Sequence, residues 1–170
     1  MANNQLSGEI PTEIYELTAI RELDIGGNAF FGSLPPDFGS LTTLESLVLG
    51  PAVIRGSIPP EFGNLTVLKR LNLRNNFLFG PIPTELGNLA LLEELILDTN
   101  EFSGPVPTEL GQISTLQIVD LGRTSLTGSM PAEVCEIVTL FDLTTLVVDC
   151  AGDPPEVACD VPECCSSCAE

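Results

Sequence analysis

The chain has no histidine, and only six lysines and arginines stand against twenty-four aspartates and glutamates, a formal net charge of -18 over 170 residues. Without imidazole there is no Ser-His or Cys-His nucleophilic site and no histidine-based zinc centre. So little positive charge argues against nucleic acid and anionic lipid, which exchange their counterions for a basic surface. Cationic or neutral partners suit this surface better. No stretch approaches the roughly eighteen apolar residues that span a bilayer, so no direct membrane insertion is expected. The opening MANNQLSGEIP has neither the basic start nor the apolar run of a leader peptide. No cysteine precedes Cys135, and the other five, Cys150, Cys159, Cys164, Cys165 and Cys168, crowd into the tail. That crowding reads as a local disulfide cap, which implies an oxidising, extracellular or cell-surface location. A secreted chain with no leader is expected to be a piece of a longer precursor, and the text begins partway through a repeat.

What the chain does have is a period of 24. Gly8, Gly32, Gly56, Gly80, Gly104 and Gly128 keep it. Three residues after each comes a proline, from Pro11 to Pro131, and two further on an acid: Glu13, Asp37, Glu61, Glu85, Glu109 and Glu133. Within each unit the apolar residues follow L-x-x-L-x-L-x-x-N-x-L, as in LKRLNLRNNFL at 68–78 and LEELILDTNEF at 92–102. That is the pattern of a leucine-rich repeat. The second halves, FGPIPTELGNL at 79–89 and SGPVPTELGQI at 103–113, resemble the plant-type subclass of that family, whose units read L-S-G-x-I-P-x-E-L-G-N-L.

One unit cannot bury its own leucine face, so units stack. The expected fold is an α/β solenoid, with a curved parallel β-sheet on the concave face and short 3₁₀ or helical segments on the convex face. The solenoid is placed at residues 1–149, with a partial first repeat at 1–19, full repeats from 20 and an atypical last repeat at 116–149. A cysteine-rich cap follows at 150–170. One strand per unit is expected, at about 21–25, 45–49, 69–73, 93–97, 117–121 and 144–148. Asn28, Asn76 and Asn100 are expected to turn inward and bond backbone groups left open by the curve, with Ala52 and Thr124 breaking that row.

The acidic column from Glu13 to Glu133 has two readings. Stacked carboxylates invite Ca²⁺, but calcium needs several oxygens converging on one point, not a single file. Each acid also follows a proline at the start of a short helical segment, where unpaired N–H groups favour negative charge. The structural reading is preferred, and no metal or cofactor is expected. Glu93 and Glu94 are adjacent on a strand and point to opposite sides, so they do not form an acid/base pair. No phosphate-cradling glycine loop occurs, and catalysis is not expected.

The tail motif C-x-x-C at Cys165 and Cys168 could serve zinc, but Cys164 and Cys165 are adjacent and no separate second pair exists, so disulfides are preferred. Cys135 stands where the repeat expects glycine, as at Gly111, and is the natural anchor for a tail cysteine. Six cysteines allow fifteen pairings, all left open. The tail resembles cysteine-rich caps on extracellular leucine-rich repeat proteins of algae. Asn64-Leu65-Thr66 is a glycosylation sequon on the convex side.

Half of the basic residues lie in LKRLNLRNN at 68–76. Strand alternation sends Leu71 and Leu73 inward and Arg70, Asn72 and Arg74 onto the concave face. Neighbours one period apart give Glu45-Lys69-Glu93, Arg70-Glu94 and Arg74-Asp98, a lattice of opposite charges. Arg74 stands apart, because Gly26, Gly50 and Gly122 in its row are expected to leave a recess, with Val48, Ile96 and Val147 apolar beside it. The family resemblance implies peptide binding on this face, with paired arginines for a carboxylate, here Arg70 and Arg74. The candidate ligand set is Arg74, Arg70, Asn72, Val48, Ile96, Asp98 and Arg123. A second candidate is Phe31, Arg55 and Phe79, which stacking in step with the period would place as an aromatic-cation-aromatic ladder or a partner patch. The expected function is non-catalytic recognition of a protein or peptide. The alternatives are a structural or adhesive spacer and, by family analogy alone, an inhibitor of a secreted wall-degrading enzyme.

Overall fold

The computed structural model describes residues 2–140, 143–148, 157–158 and 167–168. The L-x-L triplets form strands Glu22–Asp24, Ser46–Val48, Arg70–Asn72, Glu94–Ile96 and Ile118–Asp120, followed by Thr145–Val148, each within the expected range. They pair in parallel, and each residue faces its own equivalent in the next repeat, as Glu22 faces Ser46 and Arg70 faces Glu94. The last step is longer by the inserted residues, and there Ile118 faces Thr145. The backbone of Ser167–Cys168 adds a further parallel strand beside Val147 and Val148.

A second parallel sheet runs along the other side of the turn, so each unit carries two strands where one was expected. Its members are Ser7–Glu9, Ala29–Ser33, Val53–Gly56, Phe77–Gly80, Glu101–Gly104 and Ser125–Leu126, in that spatial order. These strands pair two positions short of the period: Phe31 faces Val53, Arg55 faces Phe77 and Phe79 faces Glu101. A shear of two positions per rung therefore separates repeat-equivalent residues from touching ones. The convex side is built of five-residue 3₁₀ segments, such as Pro60–Asn64 and Thr84–Asn88, and ends in the α-helix Ala132–Leu140.

Repetition also explains the core. Leu41, Leu65 and Leu89, then Leu47, Leu71 and Leu95, stack as fully buried columns. Burial of each such side chain stabilises by about 1.5–3 kcal/mol. The equivalent Leu17 is half exposed, at the edge of the described stack. The inward asparagines behave as expected. Asn100 donates from Nδ2 to the carbonyls of Leu73, Leu97 and Asp98, and its Oδ1 accepts the Leu78 N–H. Asn28 and Asn76 repeat the arrangement, while Thr124 places a hydroxyl bond on the Leu121 carbonyl.

Candidate recognition faces

The concave sheet presents two regions of different character. At the strand entrances, Glu45 bridges Arg21 (Nη1–Oε1 2.6 Å) and Lys69 (Nζ–Oε2 2.8 Å), and Arg70 Nε meets Glu94 Oε2 at 2.9 Å. The Lys69 hydrogen bond, followed by the Arg21 one, pulls the Glu45 carboxyl below its usual range, and the same contact raises Lys69. All these groups are solvated, so the lattice sets strand register more than it adds stability. Arg70 is thus held by Glu94.

Arg74 is held differently. Its Nε lies 3.7 Å from Asp98 Oδ1, its side chain is about half exposed, and the Asp98 side chain is only 7% exposed. Asp98 Oδ2 accepts the Thr99 hydroxyl at 3.0 Å, whereas buried Oδ1 has no hydrogen-bond donor. A buried carboxylate oxygen with only a loose ion pair is costly. Next to it, Asp120 is pushed up from the ordinary carboxylate value, first by desolvation and then by Asp98, against a backbone bond from Gly122. Val48, Ile96 and Val147 stand half buried along the row that contains Asp120.

Asn72, from the candidate set, is buried, and its Oδ1 accepts the Arg74 N–H at 3.2 Å. It orients the Arg74 backbone, as Asp24 and Asp120 do two residues before Gly26 and Gly122. Arg123 is exposed at the strand end with φ 55°, a left-handed residue like Asn75 and Thr99. The expected recess at the glycines is not open: a Cβ on Gly50 would overlap the Arg74 carbonyl oxygen, and one on Gly26 would overlap that of Gly50. The neighbouring backbone closes over the missing side chains, so these glycines serve close approach of the chain.

On the second sheet the expected Phe31-Arg55-Phe79 ladder does not form, because register follows the shear. Arg55 instead stacks on Phe77, with its Cζ 4.8 Å from the ring centroid. Phe31, Val53, Phe77 and Phe79 remain exposed on the same outer face.

Asn64 ends a convex 3₁₀ segment and is exposed. The acidic column sits in first turns of the convex segments, as read from the sequence. Among the described residues no group of three or more acidic or cysteine side chains is gathered as a metal site, and no helix is long and apolar enough to cross a membrane. Cys135 is disulfide-bonded. Cys150, Cys159, Cys164 and Cys165 lie outside the described residues, as does the side chain of Cys168.

Two kinds of residue escaped the sequence reading: Asp120 on the concave face, and Val53 and Phe77 on the second sheet. Val53 and Phe77 lie on the sheared register from residues already singled out, Phe31 and Arg55, whereas Asp120 stands in the straight concave row, directly opposite Ile96.

The family model for Leucine Rich Repeat matches residues 19–41 and 67–89. None of the curated proteins matches this chain. Among solved structures, the plant peptide hormone receptor RGFR1 in complex with RGF2 superposes with a TM-score of 0.82 and 36% identity, over 86% of this chain and 23% of its own. The Arabidopsis receptor kinase HAESA, in complex with the peptide hormone IDA and the co-receptor SERK1, gives 0.80 and 31%, over 88% of this chain and 24% of its own. A plant ice-binding protein gives 0.79 and 28%, over 89% and 48%. The chain thus spans less than a quarter of the length of either receptor chain.

Proposed function

We propose that this leucine-rich-repeat solenoid is a non-catalytic recognition module of a secreted or cell-surface protein, binding a protein or peptide segment on its concave face around Arg74. The observation that carries the reading is the contrast within that face. Arg21, Lys69 and Arg70 are engaged at 2.6–2.9 Å, whereas Arg74 is half exposed and loosely held over a buried carboxylate, beside Val48 and Ile96. A ligand carboxylate can take the Arg74 guanidinium, an apolar side chain can lie on Val48 and Ile96, and Asp98 and Asp120 favour a cationic group alongside. Arg70 and Arg123 flank the site, and Asn72 holds the Arg74 backbone in place. The likeness to receptors solved with peptide hormones supports the same reading. A glycan on Asn64 would leave this face clear, and a disulfide from Cys135 to the tail would close the last repeat.

The Arg21-Glu45-Lys69 bridge favours a spacer role for its own part of the sheet, since it needs no ligand to be satisfied. An ice surface is a poorer match. It presents a regular lattice, and the outward row Glu22, Ser46, Arg70, Glu94, Ile118 repeats neither charge nor size.

The test is selection of a displayed random peptide library on the protein, followed by amide chemical-shift mapping of a bound peptide. The expected footprint covers Ser46–Val48, Arg70–Asn72 and Glu94–Ile96. A footprint on the convex segments, or no selected peptide, would contradict the reading.

A further inference from the structure

Large apolar side chains are exposed in few places among the described residues, and four of them, Phe31, Val53, Phe77 and Phe79, share the outer face of three adjacent strands in the second sheet. The solenoid does not require them there. The inward residues of the same strands, Phe30, Ile54 and Leu78, already fill the core. One and two turns further on, the positions equivalent to Phe77 are Glu101 and Ser125, and those equivalent to Phe79 are Ser103 and Thr127. The fold therefore accepts polar residues at these places, and the aromatic face is confined to the middle turns. Exposed apolar area of this kind, with phenylalanine and arginine together, is characteristic of interaction surfaces.

The charge around the patch restricts what can cover it. Glu9 lies directly opposite Phe31 in register, and Glu101 directly opposite Phe79, so a carboxylate stands at each end. Neither forms an ion pair among the described residues, and both are exposed. Arg55, the positive charge within the patch, lies over the Phe77 ring. Beside Phe31 is a recess of about 140 Å³ lined by Glu9, Thr12, Phe31, Ser33 and Pro35, with one carboxylate on its wall. A second copy of the chain suits this surface badly. Two bodies of charge -18 would meet with acidic rim against acidic rim.

We infer that the outer face of the second sheet docks a partner protein through a segment with an apolar centre and a lysine or arginine side chain at each end. One cationic side chain occupies the recess against Glu9, the apolar side chains lie on Phe31, Val53, Phe77 and Phe79, and the other cation reaches Glu101. This surface is separate from the concave face and does not depend on it.

The experiment uses two synthetic capped hexapeptides, Lys-Leu-Phe-Val-Leu-Lys and Glu-Leu-Phe-Val-Leu-Glu, titrated into the isotopically labelled full chain. The lysine-flanked peptide should shift amides of Ala29–Ser33, Val53–Gly56 and Phe77–Gly80 and leave the Arg70–Asn72 strand unmoved. Its affinity should fall about tenfold or more in Phe79→Ser, a residue the repeat itself uses at Ser103, and clearly in Glu9→Gln. Three results would overturn the inference: equal binding of both peptides, shifts confined to the concave strands, or a dimer in sedimentation velocity that Phe79→Ser abolishes.

Discussion

Asp98 lies buried beneath half-exposed Arg74, with 3.7 Å between its Oδ1 and the Arg74 Nε and no hydrogen-bond donor on that oxygen. Elsewhere on the concave sheet carboxylates and bases meet at 2.6–2.9 Å. Good local satisfaction is thus given up at one point, and that point carries the apolar neighbours Val48 and Ile96. The contrast between lattice and gap supports the proposed concave site more strongly than the count of arginines does.

Asp120 shares the electrostatic strain. Its folded-state pKa lies above the ordinary 3.8, through desolvation first and Asp98 next. Folding therefore favours its protonated form. The charged form costs stability above the folded value, and the cost disappears as pH falls through that value towards 3.8. Asn72 already performs the same backbone bond with an amide. Asp120→Asn should raise the melting temperature by a few degrees at neutral pH, with the gain vanishing below pH 3.8. Calorimetry at several pH values measures this.

Gly50 tests the closed backbone. Gly50→Ala places a methyl onto the Arg74 carbonyl oxygen, which is backbone and cannot swing away. A loss of about 3 kcal/mol or more in denaturant titration is expected, because strain of this kind falls among the largest single-residue effects. Gly104→Ser, with open space around its Cβ but a φ of 83°, should cost less, about 1–2 kcal/mol.

Tyr15 is the only tyrosine, so its phenol can be followed without interference. Burial, with Asp37 nearby, pushes its pKa up from 10.0 to about 12, and its hydroxyl has no partner. The folded chain keeps this proton after the unfolded chain has lost it, so stability should fall as pH rises from 10.0 to about 12. Absorbance of the tyrosinate against pH gives the value directly. Tyr15→Phe should remove the alkaline loss and keep the ring contact with Phe38, whose centroid is 5.1 Å away.

Cys135 is disulfide-bonded, and the proposed cap joins it to the tail. Mass spectrometry of the alkylated, unreduced chain should find no modified thiol, whereas Cys135→Ser should yield one, in the tail. Six alkylated cysteines in the wild-type chain would sink the cap.

The sequence shows its period plainly, and the period places the concave strands, the buried leucine columns and the inward asparagines. It also names the pairs Glu45-Lys69, Arg70-Glu94 and Arg74-Asp98. A period tells which residues are equivalent, not which touch. In the second sheet the hydrogen-bonded partner stands two positions short of the equivalent one, so Arg55 meets Phe77 and not Phe79. On the concave sheet, where the register is straight, Asp120 lies directly opposite Ile96, and Asp98, whose charge helps to raise it, stands two positions further along the neighbouring repeat, a relation hidden when columns are read straight across. The glycine row misled for a different reason. An absent side chain leaves a hole only where the backbone holds its distance, and here the Gly50 and Arg74 backbones approach each other.

Recognition is proposed on the concave face at Arg74. Its most direct test is the affinity of a library-selected peptide for Arg74→Ala, Val48→Asp and Phe79→Ser, each checked for folding by circular dichroism. Arg74→Ala and Val48→Asp should each weaken binding about tenfold or more, and Phe79→Ser should leave it unchanged. Unchanged affinity in both concave variants would contradict it.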